Sequence, residues 1–108
     1  MITPDSIRSE LFIVGKELAK AANAIYDLEV KAEQAELLAQ SASDKVFLAT
    51  TGNIEERKAM ARERSLEEHG LAVIDRAAYN RARTKAKHLE LEQMRLMASL
   101  KSVQHEGA

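Results

Sequence analysis

The chain has 108 residues and a formal net charge of −1 at pH 7, which fits one domain with no general attraction to nucleic acid or anionic membranes. The absence of cysteine excludes a disulfide scaffold and a thiolate metal site, and one Pro with four Gly is too few turn residues for a many-stranded β fold. Since no apolar run is long enough to span a membrane and no secretory signal opens the chain, we expect a cytoplasmic protein without membrane contact.

The first predicted element is a long helix from about Pro4 to Ala49. Ala, Glu, Leu, Lys and Arg supply more than half of the chain, a share typical of coiled coils. Thr3 can cap the helix, Pro4 suits its first position, and Asp5 complements the positive end of the dipole. Apolar residues then recur in steps of four and three, a period of 3.5 that predicts supercoiling around a partner helix. The seam is Ile7, Leu11, Val14, Leu18, Ala21, Ile25, Leu28, Ala32, Ala35, Ala39, Ala42, Val46 and Ala49.

Residues 50–53 are a predicted turn. Gly52 can adopt the left-handed conformation that ends helices, and Asn53 with Glu56 three residues later resembles a capping box. Because the connection is short, the next helix should return antiparallel beside the first.

The second helix is predicted from about Ile54 to Val103. Before residue 79 its apolar residues, which include Leu66, Leu71 and Ile74, follow a drifting phase. Gly70 is the predicted weak point, and we favour a bend over a break because no capping residue follows it. The clear part of the second seam is Tyr79, Ala82, Ala86, Leu89, Leu96, Leu100 and Val103, with polar Gln93 in register.

Two helices alone would leave one apolar arc of each in water. The predicted fold is therefore all-α: a long antiparallel two-helix hairpin, a coiled coil forming one domain over residues 1–108, which dimerises into a four-helix bundle. A three-helix monomer folded back at Gly70 is the alternative. The predicted oligomer interface consists of Phe12, Leu37, Leu38, Phe47, Leu48, Met94 and Met97.

A basic stretch without any acid lies between residues 76 and 88. Its cations could bind a phosphate backbone, with Tyr79 or Tyr26 stacking on a base. The alternative is that they pair with Glu17, Asp27 and Glu29 of the first helix. The candidate nucleic-acid-binding residues are Arg76, Arg81, Arg83, Lys85 and Lys87.

No catalytic or metal-binding arrangement is recognisable in the chain. His88 and Glu92 can share one helix face, but they lack a third ligand, and the Glu-x-x-His motif of di-iron bundles is absent. Gly-rich phosphate loops and Ser-His-Asp constellations are also missing. We therefore predict no enzymatic activity, no cofactor and no metal.

The turn sequence TGNIEERKA, from Thr51 to Ala59, and the segment LMASLKS, from Leu96 to Ser102, resemble small helical-hairpin proteins encoded by tailed phages and prophages. The similarity covers the turn and the second helix, although Asn53 departs from the residue found in that turn. The resemblance implies an accessory role in phage DNA replication or recombination, in the host cytoplasm, and transfers no catalytic residue. The predicted function is thus a non-enzymatic oligomeric adaptor that binds another protein; the alternative is a single-stranded nucleic-acid-binding protein using the basic stretch.

Overall fold

The computed structural model describes residues 2–106, with the backbone alone for Glu106. Three helices follow one another: α1 (Pro4–Ala49), α2 (Ile54–Arg64) and α3 (Leu66–Glu106). The part of the chain that is described contains no strand, so the all-α prediction is confirmed. Met1, Gly107 and Ala108, the ends of the predicted domain, lie outside the described residues.

Helix α1 begins with a reciprocal cap. Thr3 Oγ1 accepts a hydrogen bond from the Ser6 N–H at 3.1 Å, and Ser6 Oγ accepts one from the Thr3 N–H at 3.0 Å. This is the geometry of a capping box with serine in place of the usual glutamate. Two N–H groups at the helix start are thereby satisfied, which fixes the beginning of α1 at Pro4.

The turn between α1 and α2 depends on Gly52 and Asn53. Gly52 has a φ of 123°, in a region that side chains rarely tolerate. Asn53 Oδ1 accepts a hydrogen bond from the Glu56 N–H at 2.8 Å, and Asn53 Nδ2 donates to Glu56 Oε1 at 3.2 Å. The predicted turn therefore holds the start of α2 through the side chain of Asn53.

Arg57 ties the start of α2 back to the end of α1. Its Nε donates to the Phe47 carbonyl at 3.0 Å, and its guanidinium lies 4.2 Å from the centre of the Phe47 ring. The last turn of α1 has no basic residue of its own. Arg57 thus supplies the positive charge that the carbonyl end of a helix favours.

The second half of the chain is interrupted at Ser65, which corrects the prediction of one helix from Ile54 to Val103. Ser65 is completely buried, and its hydroxyl donates to the Ala61 carbonyl at 2.6 Å. A serine hydroxyl bonded to the carbonyl four residues earlier bends a helix. Gly70, the predicted weak point, lies inside α3.

The chain divides into two compact units. The terminal unit consists of residues 2–25 and 81–106, and the turn unit consists of residues 26–80. In the terminal unit Ile7 and Leu96 are each 3% exposed. The other seam residues of this unit, from Leu11 to Ile25 and from Ala82 to Val103, are at least half buried, so large apolar residues form its core.

The turn unit has a core of small residues instead. Ala32 and Ala39 of α1 are buried, and three small residues of the returning chain are buried as well. Small residues at such a seam let two helix backbones approach closely. The large residues of the drifting phase are exposed, so small residues form the buried seam in this part of the chain. Buried in the returning chain are Ala61, Ser65 and Ala72, whereas Leu66, Leu71 and Ile74 are exposed.

Candidate interaction surfaces

Six of the seven residues of the predicted oligomer interface are exposed. Leu48, at 77%, is the most exposed of them. Phe47 differs because it is half buried beneath Arg57. The exposed six are Phe12, Leu37, Leu38, Leu48, Met94 and Met97. Their assignment to an interface between copies stays a prediction.

An open groove of about 380 Å³ lies between α1 and α3 in the turn unit. We call it the apolar groove because Ala35, Leu38 and Leu71 line it. Its polar lining residues are Lys31, Gln34, Glu68 and Asp75. Lys31 Nζ lies 3.7 Å from Asp75 Oδ1, so one ion pair links the two helices here.

Among these groove residues, only Leu38 belongs to the predicted oligomer interface, and Ala35 belongs to the predicted seam of α1. The α1 members Lys31 and Leu38 are seven residues apart, and the α3 members Glu68 and Asp75 are also seven apart. Each pair therefore lies on one face of its helix. The seven-residue spacing can be read from the sequence. Whether the two faces meet to form a groove depends on the register between the helices, which the spacing does not give.

Glu68 brings an unsatisfied atom to the apolar groove. Its Oε2 is buried and has no hydrogen-bond partner. Leaving a buried acceptor without a donor costs about 1–3 kcal/mol, and more for a charged group. This oxygen is covered by the unit itself, whereas the Glu68 residue as a whole is partly exposed at the groove.

Another ion pair joins the two helices of the turn unit at a different face. Arg76 Nε donates to Glu36 Oε2 at 3.1 Å, and a second guanidinium nitrogen of Arg76 binds Glu36 Oε1. The hydrogen bonds from Arg76 hold the pKa of the Glu36 carboxyl below its usual value, against the opposing effect of burial. Glu36 lies about 140° around α1 from Lys31, so this bidentate pair and the apolar groove lie on different sides.

The basic stretch is divided between the two units. Arg76 belongs to the turn unit, where it binds Glu36 and lies 5.2 Å from the Tyr79 ring. Its acidic partner is therefore Glu36, and not one of the three acids that the sequence suggested. The other four cations, Arg81, Arg83, Lys85 and Lys87, belong to the terminal unit and are exposed, and Arg83 has an interaction partner.

A second groove of the turn unit, of about 500 Å³, is lined mainly by polar side chains of both charges, including Asp44, Lys58 and Arg62. Gln40 donates to Asp44 Oδ1 there at 2.9 Å. Among the side chains of residues 2–105 no three His, Asp or Glu groups are placed so as to hold a metal ion.

The C-terminal part of α3 has a third depression, of about 450 Å³, formed by one helix face. Met94, Met97 and Ala98 supply its apolar surface, and Lys101 and Gln104 lie at its side. On the same helix Glu92 accepts a hydrogen bond from Arg95 Nε at 3.0 Å, which lowers the pKa of that carboxyl. Glu92 thus has a cationic partner, and its spacing from His88 has no visible role.

None of the described helices is both long and apolar enough to cross a membrane. Comparison with models of protein families, with curated proteins and with solved structures gave no match.

Proposed function

We propose that this protein is a non-enzymatic, oligomeric helical adaptor that works by binding other proteins through its exposed apolar faces. The observation that supports this most strongly is the amount of surface left open. The chain exposes 8136 Å², whereas a folded monomer of its mass exposes about 6,000 Å². The excess of about 2,000 Å² is larger than one partner's share of a standard protein interface, about 800 Å².

The composition of this surface points the same way. Fifteen large apolar side chains are exposed among the described residues, and they occur in both units. This number of exposed large apolar side chains in a chain of 108 residues supports a role in binding another protein chain. The proposed place of this binding, as an accessory to phage DNA replication or recombination, rests on the sequence resemblance at the turn and the second helix.

The oligomeric state tests the adaptor proposal directly. We expect size-exclusion chromatography with light scattering at micromolar concentration to give at least twice the 12.0 kDa of one chain, because burying the exposed faces releases apolar surface from water. The four-helix bundle of the proposal corresponds to a dimer. A monodisperse species of 12.0 kDa would contradict the proposal.

Binding of single-stranded nucleic acid is the second candidate function, favoured by the exposure of Arg81, Lys85 and Lys87 within seven residues of α3. It predicts that a labelled oligonucleotide binds at low salt and is released steeply as salt rises. The double variant Arg81→Glu and Lys85→Glu should lose this binding, while the double variant Lys45→Glu and Lys58→Glu, at exposed positions of the turn unit, serves as the charge-matched control. Absence of binding at low salt would eliminate this function and leave the adaptor proposal intact.

A further inference from the structure

We propose that the apolar groove of the turn unit is the surface through which the chain binds a second copy of itself, with Lys31 of each copy donating to Glu68 of the other. This inference rests on the proposed oligomeric function and names the surface and the partner. It follows from three properties of the groove: its apolar lining, its mixed charges and an acid, Glu68, that has no ion pair among the described residues.

The apolar lining extends across two helices. Leu38 of α1 and Leu71 of α3 both line the groove. Leu38 is 67% exposed and Leu71 is 55% exposed, so both side chains are open to a partner. Ile74, one turn along α3 from Leu71, is exposed as well. Two rows of side chains with a depression between them form the kind of recess into which a third helix places its own apolar residues.

The charges of the groove suit contact with an identical surface. In a two-fold symmetric contact the same patch meets itself, so a patch of one sign repels its copy. This groove contains a cation, Lys31, and two acids, Glu68 and Asp75. In such a contact the cation of each copy can lie near the acids of the other copy.

The existing ion pair of the groove identifies which acid the second cation reaches. Asp75 already has Lys31 of its own chain as a partner, whereas the Glu68 carboxylate has no ion pair among the described residues. The Lys31 side chain is 68% exposed, and its own ion pair is long at 3.7 Å. An ammonium group has three N–H donors, so Lys31 can keep Asp75 of its own chain while it donates to the Glu68 carboxylate of the other copy.

The first experiment locates the surface. Leu38→Lys and Leu71→Lys each place a charge in the proposed contact, and Leu91→Lys places the same charge at an exposed leucine of the terminal unit. We expect the dissociation constant of the dimer, measured by sedimentation over a dilution series, to rise at least about tenfold for the two groove variants and to stay unchanged for Leu91→Lys. Circular dichroism checks that the variants fold, which we expect because all three leucines are exposed.

The second experiment tests the charge pairing. Lys31→Glu alone and Glu68→Lys alone should each weaken the dimer, because like charges then meet at both symmetric positions. An equimolar mixture of the two variants should associate again, since each contact in the mixed dimer joins opposite charges. This rescue cannot arise from a loss of folding in either variant.

The possible results distinguish a failure of the groove assignment from a failure of the adaptor proposal. A monomeric wild-type chain would contradict both. A wild-type dimer that survives Leu38→Lys and Leu71→Lys would overturn the groove assignment while the adaptor proposal stands. A dimer that is weakened by those variants but shows no rescue in the mixture would keep the surface and overturn the pairing of Lys31 with Glu68.

Discussion

Replacing Leu96 by alanine should lower the free energy of unfolding by about 2–5 kcal/mol. Leu96 is 3% exposed in the terminal unit, whose other fully buried large side chain is Ile7. The substitution removes apolar contacts and leaves a cavity that a helix pair closes only in part. Since a domain of this size is stable by about 5–15 kcal/mol in total, this single change removes a large fraction of the stability.

Urea unfolding followed by circular dichroism measures this loss. Leu91→Ala is the matched control, because Leu91 is on the same helix and is 62% exposed; we expect its unfolding free energy to change by less than about 0.5 kcal/mol. The measurement should be made at a concentration where oligomers dissociate, so that dissociation of the dimer does not contribute to the free energy of unfolding. A loss below about 1 kcal/mol for Leu96→Ala would mean that Leu96 does not occupy a packed core.

The terminal unit and the turn could be predicted from the sequence because their signals are local or strongly periodic. The large apolar residues of the two seams repeat every seven positions, and Ile7 and Leu96 are buried as that repeat requires. Gly52 and Asn53 indicate the turn in the sequence. Few residues other than glycine adopt the backbone conformation of Gly52, and few side chains cap a helix as that of Asn53 does. Neither inference needed knowledge of a distant contact.

The buried seam of α2 and the start of α3 does not stand out in the sequence, because the large apolar residues of this stretch follow a drifting phase. Leu71 is large but exposed, whereas Ala72 beside it is buried. The register itself was available, because steps of seven back from Tyr79 lead to Ala72 and Ser65. The partner helix has only alanine at its buried positions here, so the returning chain must place small residues against it.

The break at Ser65 and the apolar groove were less accessible to sequence reasoning. A buried serine is inexpensive here because its hydroxyl is satisfied by the Ala61 carbonyl, a contact that composition and hydropathy do not reveal. The groove requires Leu38 and Leu71, from two helices, to lie side by side. Leu37 and Leu38 were assigned to one interface, but successive residues point about 100° apart on a helix, and only Leu38 lines the groove.

The opposite change, a larger residue in the turn unit, should also be severe: Ala32→Leu is expected to lower the free energy of unfolding by about 1–3 kcal/mol. Ala32 is completely buried, so three more carbons at this position must displace atoms that already cover it. The control is Ala59→Leu, which adds the same atoms at an exposed position of α2 and should be nearly neutral.

Amide hydrogen exchange locates the damage. For Ala32→Leu, local opening of the helices should become easier mainly in residues 26–80, whereas Leu96→Ala should affect mainly residues 4–25 and 81–106. If Ala32→Leu left both the unfolding free energy and the exchange unchanged, the helices would not be in close contact at Ala32, and the small-residue core of the turn unit would be wrong.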